Sequence, residues 1–269
     1  MPGHIDCYLD CSSFYSCAAL VHLRKNREIL LSHGVTVNLI PVFLGGINHG
    51  SGNKPPWTLP AKAAYGKLDS ARTTAYHGLP NLQAPEFFPP VTLLPQRALC
   101  FIKSRYSVEV FEKTYLEIFH ALWVPPQKNI TIPEILKEFL NALGTFDEKE
   151  VEEIMQKATE KEWKDKLLEN TKVALEQGAF GAPWMWVRNA EGKEEPFFGS
   201  DRFHFMWMFL GVEFRDLEIV RGATVGGEGR RSCEEMKERG REGGREGEGG
   251  NCIMELGGEG LWGGGRKRG

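Results

Sequence analysis

The sequence contains no Cys-x-x-Cys pair. Its six cysteines, Cys7, Cys11, Cys17, Cys100, Cys233 and Cys252, are few for a disulfide framework in a chain of 269 residues, and they read as reduced, mostly buried thiols. No apolar run is long and clean enough to form a membrane-spanning helix, so no membrane partner is expected. An excess of one charge is also lacking. The net charge is −3, with 33 Lys and Arg against 36 Asp and Glu, which argues against nucleic acid as a partner. The seven histidines show no metal-ligand spacing, and no Ser-His-Asp pattern marks a nucleophilic serine. Met1-Pro2-Gly3-His4 leads almost directly into a strand, leaving no room for a signal peptide or an Arg-rich transit segment. An intracellular protein is expected, cytoplasmic by this absence of a signal.

What is present is enough apolar residue, 41%, for a real core. Ile5, Cys7 and Leu9 alternate with Asp6, Tyr8 and Asp10, the period-2 pattern of a first strand. Ser12 and Ser13 then precede Ala18, Ala19, Leu20 and Leu23, one face of a helix predicted to reach about Ser32 and to end at Gly34. Val35, Val37, Leu39 and Ile40 form a second strand ending at Pro41. Strand, helix, strand at this spacing is a βαβ unit with parallel strands. Residues 44–57, with Gly45, Gly46, Gly52, Pro55 and Pro56, read as a long functional loop. Pro60 is placed to open a helix carrying Lys62 and Tyr65.

From there to Gln177 the pattern is mainly helical, broken by prolines. Thr131 with Glu134, and Asp147 with Glu150, have capping-box spacing, and Trp163, Leu167 and Ala174 continue on a longer helix that Gly178 would close. Residues 178–202 hold a loop ending at Pro183, a strand from Trp184 to Val187, a turn at Asn189-Ala190-Glu191-Gly192, and the start of a helix running from Ser200 to Leu210. The fold class is α/β: a thioredoxin-like sheet with an all-helical insertion between the βαβ unit and the C-terminal hairpin and helix. One domain is expected over 1–211, with sheet-forming parts at about 4–58 and 178–211 and the insertion at about 59–177. Residues 212–269 form an atypical tail. From Gly226 onward it holds 16 of the 31 glycines, with nine acidic and nine basic residues, a composition that favours disorder.

Three places can carry chemistry. Ser13 stands where the first strand gives way to the first helix, whose free N–H groups and dipole favour an anion such as a thiolate; the plain alternative is an N-cap serine. Ser16 is a second hydroxyl one turn further in. If the Ala182–Pro183 bond is cis, the Ala182 backbone can pair with an extended ligand; the alternative is an ordinary trans proline leading into a strand. Ser200 and Asp201 can receive a carboxylate and an ammonium group, or can simply cap a helix. Lys62 offers a charge for a ligand carboxylate, and Asn53 can orient a ligand amide.

Together these segments resemble the kappa-class glutathione transferases and the related 2-hydroxychromene-2-carboxylate isomerases, with their DsbA-like thioredoxin fold. Tyr8-Leu9-Asp10 through Ser13-Phe14-Tyr15-Ser16 is similar to the family's Tyr-Asp and Ser-Pro-Tyr-Ser motif. Gly52-Asn53-Lys54-Pro55-Pro56 with Leu59-Pro60-Ala61-Lys62 resembles its Asn-Lys-Pro-Pro loop and following lysine. Phe180-Gly181-Ala182-Pro183 is similar to its Gly-x-Pro loop, and Phe198-Gly199-Ser200-Asp201-Arg202 matches Phe-Gly-Ser-Asp-Arg.

The resemblance implies glutathione as cosubstrate, a homodimer, and conjugation to a small hydrophobic electrophile, or glutathione-dependent isomerisation. By position, Ser13 would hydrogen-bond the sulfur, with Phe14 and Tyr15 beside it. Ala182 before cis-Pro183 would pair with the cysteinyl unit, Ser200 and Asp201 would hold the γ-glutamyl end, and Asn53 and Lys62 would lie near the cofactor. Family members occur in mitochondria and peroxisomes. The family's proline is replaced by Phe14, expected to loosen the start of the first helix, and its tryptophan by Cys17, which removes bulk. A disulfide oxidoreductase on this fold would need cysteines where Ser13 and Ser16 stand. A non-catalytic glutathione binder is the third reading. The second substrate is expected against the helical block and the 44–57 loop, where Trp57 is the apolar anchor.

Overall fold

A computed structural model describes residues 2–215. β1 (Gly3–Leu9) leads into α1 (Phe14–Ser32) and β2 (Val35–Pro41), followed by α2 (Leu44–Ser51), a 3-10 turn (Pro56–Thr58) and α3 (Pro60–His77). Then come α4 (Leu93–Arg105), α5 (Val108–Trp123), α6 (Pro133–Ala142), α7 (Glu148–Thr159) and α8 (Lys161–Glu176). β3 (Trp184–Arg188), β4 (Glu194–Phe198) and α9 (Phe203–Leu210) close the described chain. The sheet order is β2-β1-β3-β4. β1 runs parallel to β2, in the register Ile5 with Val37, and antiparallel to β3, in the register Ile5 with Val187. β4 pairs antiparallel with β3. This is the expected thioredoxin-like sheet, with the block of helices inserted between β2 and β3.

The alternation read in β1 divides the core. Ile5, Cys7 and Leu9 join one buried cluster with Tyr115 and Phe119 of α5, whereas Tyr8 packs on the other face with Val42, Ile47, Ala174 and Trp184. Burying each such side chain contributes roughly 1.5–3 kcal/mol, so the inserted helices and the sheet stabilise each other through both clusters. Ser13 caps α1 by accepting from the Ser16 N–H, and Gly34, at φ +72°, follows its end. The Asp147–Glu150 capping box is formed.

Four local expectations are corrected. Residues 44–57 are not one loop, because α2 occupies Leu44–Ser51. Its glycines serve packing: a Cβ on Gly46 would stand 3.1 Å from Thr171 Cγ2, and one on Gly50 would stand 2.6 Å from Leu175 Cδ1. They let α2 lie close against α8. Thr131 does not cap α6; its hydroxyl bonds Asn129 Oδ1, and the N-cap residue is Ile132. The helix after Asp147 breaks at the extended Glu160, giving α7 and α8. The last helix starts at Phe203 rather than Ser200, with Arg202 at its N-cap.

Among the described residues no helix is long and apolar enough to cross a membrane, and no group of three or more His, Cys, Asp and Glu could hold a metal ion. The expected disordered tail lies, from residue 216 on, outside the described residues, as do Cys233 and Cys252.

Candidate active site

β1 ends by directing Asp10 into the protein, where the carboxylate is fully buried. It accepts from the Ser12 N–H at 2.9 Å, the Leu44 N–H at 2.6 Å and the Thr92 hydroxyl at 2.7 Å. Burial raises the Asp10 pKa above its ordinary value, and these hydrogen bonds pull it back. One carboxylate therefore fixes the approach to α1, the start of α2 and the start of α4.

The inserted helices hold the same corner through backbone carbonyls. Gln96 Nε2 donates to Leu9 O and Val42 O, the Tyr115 hydroxyl donates to Leu9 O at 2.6 Å, and Trp123 Nε1 donates to Cys11 O at 2.8 Å. Sequence reasoning missed Thr92, Gln96, Tyr115 and Trp123 as supports. Their only signal is polar groups within otherwise apolar helical faces.

On this support Ser13 stands at the N-cap of α1. Its hydroxyl donates to Ala182 O at 2.9 Å, across 169 residues of chain. The Ala182–Pro183 peptide is cis, as the functional reading required. Two further bonds fasten this loop. Asn53 Nδ2 donates to Phe180 O at 2.6 Å, and the Gly199 N–H donates to Pro183 O at 3.1 Å. Asn53 thus joins the site by gripping the proline loop.

Phe14 does not loosen α1. It is the first residue of the helix, buried edge-on against Tyr15 at 5.3 Å and Trp123 at 6.1 Å. Trp123 in turn meets Phe88 at 5.8 Å, and Phe88 meets the half-exposed Trp57 at 4.8 Å. A row of aromatic rings therefore runs from beside Ser13 to the surface.

The other expected residues lie along α3 and beyond β4. The Tyr15 hydroxyl donates to Asp69 Oδ2 of α3 at 2.6 Å. Burial raises the Tyr15 phenol, and the Asp69 hydrogen bond and the charges of Asp69 and Asp201 push it further, which places Asp201 within electrostatic reach of Tyr15. Two turns later, His22 of α1 meets His77 of α3 with ring centroids 5.6 Å apart. The two helices thus pack in the same direction. Lys62, exposed and about 10 Å before Asp69 along α3, lies beyond the N-terminal end of α1.

Ser200 is buried, and the exposed Asp201 pairs with Arg202 at 2.5 Å. Because α9 begins at Phe203, Ser200 and Asp201 stand on a turn after Gly199 (φ +92°), and the expected helix N-terminus is not at Ser200. Ser16 Oγ is buried and has no hydrogen-bond partner among the described residues.

Chemistry elsewhere is weaker. Cys11 and Cys17 are fully buried free thiols; burial raises Cys11 well above the usual range, and Cys17 to about 12. Neither can serve as a redox nucleophile without leaving the core. A cavity of about 640 Å³ lies between β2, α4 and α8, lined by Asn38, Lys103, Lys166 and Asn170 among others, and contains none of the expected site residues.

Residues 4–211 match the family model for the DSBA-like thioredoxin domain. The chain is 32% identical over 206 residues to glutathione S-transferase kappa 1 of Caenorhabditis elegans, covering 75% of this chain and 88% of that protein. It is 28% identical over 222 residues to glutathione S-transferase kappa 1 of Homo sapiens, covering 80% of this chain and 93% of that protein. Among solved structures, a 2-hydroxychromene-2-carboxylate isomerase superposes with a TM-score of 0.63 at 20% identity, over 77% of this chain and 94% of that one. At that identity the last likeness supports the fold alone. By the extent of the match and the level of identity, this chain belongs to the DSBA-like thioredoxin domain family, among its kappa-class glutathione transferases.

Proposed function

We propose that this glutathione transferase binds glutathione across Ser13, Ala182 and Asp201, and adds its thiolate to a small hydrophobic electrophile. The observation that carries the reading is the Ser13 hydroxyl at the N-terminus of α1, directed at the backbone before cis-Pro183. A hydroxyl has one proton to give, and in the free protein Ala182 O receives it. Glutathione replaces that bond with two. The cysteinyl N–H donates to Ala182 O, and the Ser13 hydroxyl rotates to donate to the sulfur. The dipole of α1 favours the thiolate over the thiol, and the thiol proton leaves to solvent. The thiolate then forms the C–S bond to the electrophile as the bond to its leaving group breaks; with an aryl chloride, chloride departs to solvent.

Phe14 and Tyr15 shape the wall beside the sulfur. Asn53 holds the proline loop, Lys62 takes the glycyl carboxylate, and Ser200 with Asp201 takes the γ-glutamyl end. The row Phe14, Trp123, Phe88 and Trp57 supports an apolar second substrate. A homodimer belongs to the same reading, supported by the exposed Tyr65, Leu68 and Tyr76 of α3 and Phe205 and Met208 of α9. The test is calorimetric titration with glutathione beside conjugation of an activated aryl chloride. Stoichiometric binding with turnover is expected. Absence of binding overturns the reading, and binding with isomerisation of 2-hydroxychromene-2-carboxylate but no conjugation replaces transferase by isomerase.

A further inference from the structure

The cavity of about 640 Å³ between β2, α4 and α8 contains none of the residues assigned to glutathione, yet two lysines border it. Lys103, in the last turn of α4, turns its ammonium group back onto β2, donating to Asn38 Oδ1 at 2.5 Å and to Leu39 O at 2.6 Å. Asn38 is held in turn, its Nδ2 donating to Asp6 Oδ1 at 2.6 Å. An ammonium group has three protons, so one N–H of Lys103 remains for the cavity. Lys166 of α8 lines the same space. Neither lysine has a carboxylate within ion-pair distance among the described residues. The walls are fixed to each other, because the buried Asn170 of α8 donates to Pro41 O at the end of β2, at 3.0 Å.

We propose that this cavity is a second ligand site, which takes a small monocarboxylate with an apolar body. The acid group sits between Lys103 and Lys166, where it separates two like charges and gives the spare N–H a charged acceptor. The apolar body rests on Ile40, Cys100 and Trp163. Cys100 is buried and its thiol is pushed up to about 12, so it stays uncharged and acts as apolar wall. Burial lowers the Lys103 pKa to about 8, Asp6 and Cys100 oppose that, and Lys166 adds to it. At neutral pH Lys103 is therefore still mainly charged. The volume is that of a site for one small molecule. Carboxylates limit its charge. Glu162, Asp165 and Glu169 of α8 also line the cavity; Asp165 pairs with Lys161, whereas Glu162 and Glu169 are exposed and form no ion pair among the described residues. They repel a dianion more than a single carboxylate.

The probe is 1-naphthoate, titrated by calorimetry against the full chain, with 1-naphthamide and 1-naphthyl phosphate beside it. One 1-naphthoate per chain is expected to bind, with the amide and the phosphate each about fivefold weaker or more. Lys103→Met should weaken 1-naphthoate about tenfold, and Lys103→Arg, which keeps the charge, by no more than about threefold. Lys166→Met changes only an exposed side chain and should cost about threefold, whereas Glu169→Gln should tighten binding about twofold. An excess of S-methylglutathione should leave 1-naphthoate affinity unchanged, which separates this cavity from the apolar wall of the proposed active site. Binding that does not saturate, that is no tighter than for the amide, or that S-methylglutathione abolishes overturns the proposal. So does wild-type affinity in Lys103→Met. If that variant does not fold, the opposite shifts in Lys166→Met and Glu169→Gln decide, and their absence overturns the site.

Discussion

Ser13 and Ala182 satisfy each other in the free protein: the hydroxyl of one donates to the carbonyl of the other at 2.9 Å, both within the buried junction of α1 and the proline loop. The bond has two consequences. It keeps the site formed in the absence of ligand, because α1 and β3 are tied at their active ends. In the proposed complex it also makes glutathione binding an exchange, since one hydroxyl proton cannot serve Ala182 O and a sulfur together.

Ser13→Ala therefore removes the proposed donor to the sulfur and, with it, the side-chain cap that accepts from the Ser16 N–H. The pKa of bound glutathione is expected to rise by about one unit, equivalent to about 1.4 kcal/mol, and conjugation near neutral pH to fall about tenfold. Affinity should change little, because the lost hydrogen bond to Ala182 weakens the free state as well. Ultraviolet thiolate absorbance across a pH series checks the first effect and steady-state rates the second. An unaltered absorbance profile would remove Ser13 from its assigned role.

Thr92→Val tests the support beneath the site. Thr92 is fully buried, and its hydroxyl is one of three donors to Asp10. Valine keeps the volume and removes the donor, leaving a buried carboxylate with one partner fewer. A loss of about 1–2 kcal/mol is expected by denaturant unfolding. Because Asp10 also fixes Ser12 and Leu44, the KM for glutathione should rise with it. A stability equal to wild type would show that water replaces the hydroxyl without cost.

How much of this was legible depended on whether a residue acts through its neighbours in sequence or across the chain. The βαβ unit was readable because Ile5, Cys7 and Leu9 alternate and because Ser13 and Gly34 punctuate α1 locally. The resemblance pointed to cis-Pro183, and the structure has it. α2 was misread because Gly45, Gly46 and Gly52 look like loop residues, and only the structure sets Thr171 against Gly46 and Leu175 against Gly50, both distant in sequence. Thr92, Gln96, Tyr115 and Trp123 were missed for the same reason: each acts on a carboxylate or carbonyl near residue 10, from a position more than 80 residues away in sequence. Asn53 was read as touching a ligand amide, whereas in the free protein its amide bonds Phe180 O.

Gly199→Ala should damage the site through the backbone. Gly199 has φ +92°, and a Cβ there would stand 2.8 Å from Asp201 Oδ1. The variant must either strain that dihedral or displace the Asp201 carboxylate. About 1–2 kcal/mol of stability should be lost, and glutathione affinity should fall in the manner of Asp201→Ala. Thermal unfolding and calorimetry on the same preparation read both. A variant with normal affinity would detach Asp201 from binding.

His22→Phe makes the acid sensitivity of the fold measurable. His22 Nε2 is buried and has no hydrogen-bond partner among the described residues. Burial, then the charges of His77 and Lys25, lower its pKa from 6.5 to about 4. Between those values the unfolded chain binds the proton more readily than the folded one, so stability is full above about 6.5 and is lost as the pH falls through about 4. Allowing for solvent screening of a partly exposed ring, the loss is about 2 kcal/mol. Phenylalanine keeps the stack on Phe203 and cannot take a proton. Its stability curve should therefore be flatter between about pH 7 and about pH 4, with the residual slope due to other groups, His77 among them. Removing the unpartnered nitrogen should also raise stability at neutral pH by about 1 kcal/mol. If the wild-type and His22→Phe curves superimpose over that range, His22 is not buried as a neutral ring between α1 and α9.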